Sequence, residues 1–252
     1  MSFVDFTFSG RHSRRNMGLY SELVSRPLFP EPKTVFQEIP GVDGEMDFSE
    51  NNPKERICFK PRIIEFECHA SAYIEDVSMP ALFDNIVSSL FNGEGKLILD
   101  CDPDVFYKAR VANLFNLTHI TDQSVSFPLI FRCDPFRYSH TETVIENDGL
   151  FEFENSGYYT PFVLEVTGDA PNGFYITELG NNPKSLYVNT PLDNATAIIN
   201  TETMDVTIGG ISVLSKCSGN FPELSPGQNQ FTVGDADGNS LSCRLKYRER
   251  YL

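Results

Sequence analysis

Alternating aspartates give this chain its nearest approach to a metal-binding pattern. Asp100, Asp102 and Asp104 have the odd spacing of the first ligands of a calcium loop. An EF-hand loop also needs glycine at its sixth position and glutamate at its twelfth, where this chain has Val105 and Val111. The EF-hand pattern therefore fails, and we interpret these aspartates as a turn between two strands.

Other reactive side chains show no catalytic arrangement. Glu65 and Glu67 share one face of an extended segment, as glycosidase carboxylates do, yet this spacing is also usual for solvated side chains. No nucleophile elbow, P-loop or dinucleotide-binding glycine pattern occurs. No metal-ligand spacing connects the four histidines, which are His12, His69, His119 and His140. We expect no catalytic residue, no metal and no cofactor.

The six cysteines are widely spaced and form no C-x-x-C pair, which favours free thiols made in a reducing cytoplasm. The first residues lack the basic and apolar regions of a signal peptide. No apolar run approaches the ~20 residues that span a bilayer, so we expect no membrane insertion.

Charge is distributed unevenly along the chain, whose net charge is −15. Residues 138–243 contain only two basic side chains, Lys184 and Lys216. The last nine residues are basic again and alternate in polarity. No basic stripe that could bind a phosphate backbone is visible, which argues against nucleic-acid binding.

Polarity alternates in the manner of strands along most of the chain. The clearest case is residues 63–74, where apolar and polar side chains alternate strictly. Ser78 is the expected N-cap of the only predicted helix, over residues 78–92, with Pro80 in its first turn. An apolar stripe on that helix comprises Leu82, Phe83, Ile86, Val87, Leu90 and Phe91. The chain is predicted to be all-β with one helix.

The segment around Asp134–Ser139 and the polar stretch 142–155 predict a domain boundary. Residues 1–137 are expected to form a β-sandwich or barrel-like domain. Residues 138–243 contain short strands about ten residues apart, typical of an antiparallel β-sandwich. Because the final strand, 244–252, is basic, we expect it to return and complete the first domain, which has most of the other basic residues.

The stretch 36–50 reads as strand, tight turn, strand. Pro40 and Gly41 suit the two central positions of a type II turn, and Asp43 with Gly44 favours a turn that needs positive φ. Two such turns make a stiff loop that loses little entropy when it docks on a partner. An ordinary surface hairpin is the alternative.

In order and spacing, several segments resemble the distal tail protein family of long-tailed bacteriophages, over nearly the whole chain. In the first half the matching segments are 6–13, 18–19, 26–27, 39–44, 47–49, and 134–136 with Tyr138. In the second half they are 155–157 with Pro161, and 221–229. The G-x-D-G turn at 41–44 is the best single match.

The resemblance implies a non-enzymatic structural protein of the virion. Its first domain would form a homo-hexameric ring at the distal end of the tail tube, and its second would be a galectin-like sandwich. The ring would bind the tail tube protein, the tail-tip or tail-associated lysin protein and, as in some relatives, receptor-binding proteins. DNA would pass through its channel without specific binding. Candidate contact residues for the ring or a partner are Arg26, Pro27, Pro40, Gly41, Asp43 and Gly44.

A different class of function is a monomeric carbohydrate-binding module that aids adsorption to the host cell wall. Sugar sites usually stack an aromatic ring on the ligand, often tryptophan, and this chain contains none. A glycan-degrading enzyme is the third hypothesis, for which the sequence offers only Glu65 and Glu67.

Overall fold

The computed structural model describes residues 4–52, 55–113, 118–179 and 183–252, except for the side chains of residues 118–120. It divides into two domains, Met1–Tyr138 with Leu252, and Ser139–Tyr251. This division falls one residue after the predicted boundary. Within the described ranges, no helix has both the length and the apolar character needed to cross a membrane.

The first domain is built on one antiparallel sheet, whose strands run in the order β2-β1-β7-β8-β10-β6-β3. Strand β9 pairs with β10 and β11 with β8, whereas β4 and β5 form a separate hairpin. The elements are β1 Phe6–Phe8, β2 Arg11–His12, α1 Ser13–Met17, β3 Leu19–Ser25, β4 Phe36–Glu38, β5 Glu45–Asp47, β6 Arg62–Ser71, α2 Ala72–Glu75, α3 Met79–Leu90, β7 Gly95–Leu99, β8 Asp102–Val111, β9 Thr118–Thr121, β10 Ser124–Cys133 and β11 Arg137–Ser139.

This sheet curls back on itself around an aromatic core. The chain two residues before β1 meets β3, since the Val4 amide donates to the Ser21 carbonyl at 3.0 Å and the Ser21 hydroxyl donates to the Val4 carbonyl at 3.0 Å. The inner face is formed by side chains that alternate along the strands, as period-two patterning requires. Its centre is a cluster of fully buried rings, Phe6, Phe8, Phe66 and Phe131.

Helix α3 confirms the predicted helix, and Ser78 caps it by accepting from the Ala81 amide at 3.4 Å. Its buried stripe is narrower than expected, because Val87 and Phe91 are exposed. Two short helices, α1 and α2, were not predicted. The predicted strand 63–74 ends at Ser71, where the chain turns into α2.

The second domain is a two-sheet antiparallel sandwich, as predicted. Its sheets run β12-β22-β14-β17-β18-β19 and β13-β21-β15-β16-β20 around a shared apolar core. The strands are β12 Thr143–Asn147, β13 Leu150–Asn155, β14 Phe162–Ala170, β15 Phe174–Glu178, β16 Ser185–Val188, β17 Leu192–Asn200, β18 Asp205–Ile208, β19 Ile211–Ser212, β20 Cys217–Gly219, β21 Gly227–Asp235 and β22 Ser242–Tyr247, with a 3₁₀ turn at Leu214–Lys216. The last strand of the chain, β23 Arg250–Tyr251, belongs to neither of these sheets.

Strands β12 and β13 correct the interpretation of residues 142–155 as a polar boundary. Glu152 and Glu154 alternate there with Phe151 and Phe153, and Phe151 is fully buried. The stretch is polar on average only because one face of each strand is turned to solvent.

The prediction that residues 244–252 complete the first domain is wrong for their main strand. Strand β22 lies between β12 and β14 of the second domain. Only the short last strand, β23, joins the sheet of the first domain, where it pairs with β11. The basic side chains of this last segment form ion pairs with glutamates of the second domain. Their ion pairs are Arg244–Glu146 at 3.2 Å, Lys246–Glu165, and Arg250–Glu223 at 2.9 Å.

All six cysteines are free, as predicted. Burial raises the pKa of the Cys133 and Cys243 thiols to about 12. Since the thiolate is the reactive form, these cysteines act as small core residues and not as nucleophiles.

Candidate functional site: the arm of the first domain

A long connection between β3 and β6 forms a separate feature outside the curled sheet. We call residues 31–60 the arm. Its stalk is a pair of extended segments, joined by the Lys33 amide to the Cys58 carbonyl at 2.7 Å and by the Lys60 amide to the Glu31 carbonyl at 2.7 Å. Beyond the stalk, strands β4 and β5 form a hairpin in which every residue is exposed. A two-stranded hairpin with both faces in water is only marginally stable by itself.

The tip of the hairpin has the predicted turn chemistry. The Val42 amide donates to the Ile39 carbonyl at 3.1 Å, which closes a turn with Pro40 and Gly41 at its centre. Gly41 has φ of +87°, and Gly44 has +84°. Positive φ at the residue after proline is the type II arrangement. A side chain at Gly41 would meet no atom within 4 Å, so only the backbone conformation requires glycine there.

The base of the hairpin is fastened by a small polar network. The Val35 amide donates to the Ser49 hydroxyl at 2.9 Å, and that hydroxyl donates to the Asp47 carboxylate. The Ser49 amide donates to the same Asp47 oxygen at 2.8 Å. These hydrogen bonds lower the pKa of the Asp47 carboxyl below its ordinary value.

This network makes the hairpin base sensitive to acid. A carboxyl with a lowered folded-state pKa stabilises the fold above its unfolded pKa of about 3.9, and that contribution is lost as the pH falls through the folded pKa. In an NMR titration, we expect the Ser49 and Val35 amide shifts to report a midpoint below 3.9. The Asp47→Asn variant should remove this titration, whereas a midpoint at or above 3.9 in the native chain would contradict the network.

Arg62, the first residue of β6, fixes the root of the arm. Its side chain is buried, with 2% of the residue exposed. The guanidinium donates to the Pro135 carbonyl at 2.7 Å and to the Pro27 and Leu28 carbonyls at 3.0 Å each. Burial lowers the pKa of Arg62, which nevertheless stays charged at neutral pH. One arginine thus ties the chain entering the arm to the body of the domain.

Arg26 lies beside this root. It pairs with the Asp102 carboxylate and donates to the Tyr107 hydroxyl at 3.1 Å. Burial opposes its charge, but Tyr107 and Asp102 outweigh this and raise the pKa of Arg26. The predicted turn at 100–104 is confined to residues 100–101, because β8 begins at Asp102. Sequence spacing did not reveal that Asp102 has arginine partners, which are Arg26 and, at 3.4 Å, Arg137.

The six candidate contact residues from the sequence fall at the two ends of the arm. Arg26 and Pro27 are half-buried near its root, where both bond within their own domain. The other four, Pro40, Gly41, Asp43 and Gly44, are exposed at its tip. The structure thus does not bring the six residues together. Reasoning from sequence missed Arg62. The feature that could have indicated it is a single arginine at the start of a strand with one apolar face.

Apolar side chains are exposed along the arm and the segment that leads into it. Leu28 is 76% exposed and Phe29 is 66% exposed. The others are Val35, Phe36, Val42 and Met46. Exposed apolar patches on soluble proteins mark surfaces that another molecule covers. The arm and its root are therefore the candidate docking surface of the first domain.

One cluster of the described residues has the makeup of a metal site: Asp5, His12 and Asp100. However, His12 Nδ1 accepts from the Arg14 and Arg15 amides at 3.1 and 3.3 Å, so a neutral ring has its proton on Nε2. That nitrogen lies 3.2 Å from the Asp100 carboxylate, which it reaches as a donor. A ring in this state has no lone pair free for a metal, and the cluster is explained as a helix cap with its acidic partner.

Glu65 and Glu67 lie on the half-buried outer face of β6. Their backbone partners across the sheet on β10 are Ile130 and Pro128. On the other side of β6, the cross-strand partner of Glu67 is Glu22 of β3, so a third carboxylate lies on this part of the sheet. The pair keeps its interpretation as surface side chains of a strand.

Comparison with known proteins agrees with this architecture. Residues 155–251 match the model of a family described as siphovirus-type tail component, C-terminal domain. The crystal structure of the Dit protein of phage SPP1, described as a paradigm of hub adsorption apparatus in phages that infect Gram-positive bacteria, aligns over 100% of both chains with a TM-score of 0.75 at 13% identity. A chain of the phage P2 baseplate, in its activated conformation with Ca, aligns over 98% of both chains with a TM-score of 0.44 at 10% identity. No curated protein matches.

The likeness to SPP1 Dit confirms the mainly β fold that the sequence predicts. The family match over residues 155–251 confirms the resemblance drawn from the sequence motifs.

Proposed function

Because residues 155–251 match the model of the siphovirus-type tail component family, we propose that the protein is the distal tail hub of a long-tailed phage. In this proposal six copies form a ring at the end of the tail tube. The ring joins the tube to the tail-tip or baseplate and host-adsorption proteins. The protein is located at the distal end of the tail in the virion, after assembly in the host cytoplasm.

The exposed arm is the observation that supports assembly most directly. The first domain already buries a complete core without it, and the hairpin of the arm has no buried residue. A closed ring needs two different complementary surfaces on each subunit, since its contacts run head to tail. A protruding arm with exposed apolar side chains supplies one such surface.

Partners of the ring follow from the same proposal. One side of the ring binds the tail tube protein, and the other binds the tail-tip or tail-associated lysin protein. Receptor-binding proteins are a further partner class. The description of SPP1 Dit as a hub of an adsorption apparatus supports partners of these kinds.

DNA passes through the ring channel in this proposal without binding specifically. The net charge of −15 supports it, because acidic groups lining a channel repel phosphates. Lysine substitutions of acidic residues found to line the channel should slow genome ejection. Unchanged ejection kinetics would contradict the acidic-channel part of the proposal.

The protein acts by assembly and not by catalysis in this proposal. Glu65 and Glu67 are the residues to test, and Glu65→Gln and Glu67→Gln variants serve as probes. If the native chain digests host cell wall and either variant loses that activity, this part of the proposal is overturned.

A monomeric carbohydrate-binding module is the alternative, and one residue supports it. Tyr187 is 47% exposed on a sheet of the second domain, its ring 6.3 Å from that of Tyr175. Among the described residues of the second domain, Tyr187 is the only exposed aromatic side chain. A monomer that binds host cell-wall saccharide, with binding lost in Tyr187→Ala, would favour this alternative.

Size-exclusion chromatography with light scattering tests ring formation. We expect the native chain to have six times the mass of one chain. Two residues inserted between Gly41 and Gly44 should leave the monomer folded but weaken the ring, because the insertion changes the stiff tip.

The matched control inserts the same two residues between Gly209 and Gly210, an open turn between β18 and β19. This control should form the native ring. A native chain that stays monomeric would contradict the proposed hub. If the variant with the insertion at the tip still forms the native ring, the tip does not contact the neighbouring copy.

A further inference from the structure

One face of the β4–β5 hairpin combines an aromatic ring with carboxylates. Glu38 and Glu45 are direct cross-strand partners, and so are Phe36 and Asp47. Residues two apart on a strand share a face, so all four side chains project on one side. Like charges that lie directly opposite each other destabilise a strand pair. A cation placed over this face would remove that repulsion.

The tip of the hairpin has a depression next to Glu38 and Glu45 of this face. This depression of about 430 Å³ is lined by Glu38, Ile39, Pro40, Val42, Asp43, Gly44 and Glu45. Three of these residues are acidic and none is basic. The depression thus has both the charge and the size to take the end of a long basic side chain.

An exposed basic group lies elsewhere on the same domain. Arg11 precedes α1, and Arg14 and Arg15 lie within it; all three are exposed. Arg11 donates to the Ser89 hydroxyl, and the Arg14 guanidinium lies 4.9 Å from the centre of the Tyr20 ring. In the part of the chain that the structure describes, neither Arg14 nor Arg15 has a carboxylate partner. Two exposed arginines in a strongly acidic protein are thus left for a partner.

The basic helix α1 precedes β3 in the chain and the acidic hairpin follows it, so the two are connected to opposite ends of this strand. Helix α1 ends at Met17, two residues before β3 begins, and the segment that leads into the arm begins after Ser25, the last residue of β3. A strand of seven residues is about 23 Å long. The hairpin face of one copy is also fully exposed, so its own α1 does not cover it. A head-to-tail neighbour is the molecule that brings the two surfaces together.

We propose that Arg14 and Arg15 of one copy dock on the acidic hairpin face of the next copy around the ring. The guanidinium groups form charge-assisted hydrogen bonds with Glu38, Asp43 and Glu45, which arginine makes in planar, two-pronged geometry. Phe36 on the same face offers a ring for a guanidinium to stack on. This inference rests on the proposed ring and names the contact that closes it.

Charge reversal of each side tests the contact in the full chain. We expect Arg14→Glu with Arg15→Glu to lose the ring, and Glu38→Lys with Glu45→Lys to lose it as well. Circular dichroism should show that both variants remain folded, and light scattering should show that they are monomers. The native ring should also weaken as salt is raised, since exposed ion pairs are screened.

Mixing the two variants in equal amounts gives the sharpest result. Each then finds its complement in the other: native acids meet native arginines at one junction, and new lysines meet new glutamates at the next. Because six is even, an alternating ring closes, and light scattering should show the native mass restored. The control Arg110→Glu, at an exposed position on β8, should keep the native ring.

Different failures overturn different claims. A native ring that persists in either reversed variant would overturn this contact and leave the proposed hub intact. Two folded monomeric variants whose mixture stays monomeric would also overturn it, and would point to a different tail protein as the partner of these surfaces. A native chain that never forms a ring would overturn the hub proposal itself.

Discussion

Replacing Arg62 by alanine should destabilise the first domain by about 2–4 kcal/mol. Its guanidinium joins three backbone carbonyls, those of Pro27, Leu28 and Pro135. Alanine leaves these three carbonyls without this donor, and each carbonyl that water does not reach then carries a desolvation penalty of about 1–3 kcal/mol. Since Arg62 Nη2 has no partner of its own among the described residues, relief of that unpaired group partly offsets the loss.

Chemical denaturation followed by circular dichroism measures the free energy of unfolding. Hydrogen exchange read by mass spectrometry should also show faster exchange in peptides from the arm root. Arg62→Lys should fall between alanine and native, because a point-like ammonium cannot span all three carbonyls. Arg110→Ala is the matched control; its side chain is 60% exposed, so the change should stay below about 0.5 kcal/mol. An Arg62→Ala variant as stable as this control would refute the role of Arg62.

Replacing Arg250 by alanine should destabilise the second domain by about 3 kcal/mol. Arg250 is 7% exposed and donates to the Tyr159 carbonyl and, at 2.9 Å, to the Glu223 carboxylate. Without it, the Glu223 carboxylate, whose side chain is 16% exposed, loses this charged partner. Removing one partner of a buried pair is strongly destabilising for this reason.

Arg244→Ala provides the comparison for Arg250. Arg244 also pairs with a glutamate, Glu146, but the two side chains are 49% and 71% exposed. Exposed pairs contribute little, so we expect a change below about 1 kcal/mol. Hydrogen exchange within β14 and β22 distinguishes the two variants locally. Equal effects at both positions would show that burial does not set the strength of these pairs.

Local conformation was predictable because it depends on neighbours in sequence. Pro40 and Gly41 specify a turn through their own φ preferences, and the structure has that turn. The alternation before Ser71 gives a strand with one buried face, and the cap at Ser78 starts the long helix. Motifs spread through the chain also indicated the resemblance to distal tail proteins, since each motif needs only residue types and order.

Long-range pairing decided what the sequence pattern left open. The strand containing Arg244 and Lys246 pairs with acidic neighbours in its own domain, although its composition alone suggested the first domain. Alternation continued as far as Ile74, but the backbone turned into a helix and left Ile74 exposed. Arg62 became a buried anchor only because three carbonyls distant in sequence converge on it.

The sequence by itself determined the strands, the long helix, the turns of the hairpin and the family resemblance. Only the tertiary structure decided which charges are buried and paired, and which apolar side chains of the arm stay in water. The physical reason is that backbone preferences act over a few residues. Burial and ion pairing depend on segments far apart in the chain, whose meeting no local pattern specifies.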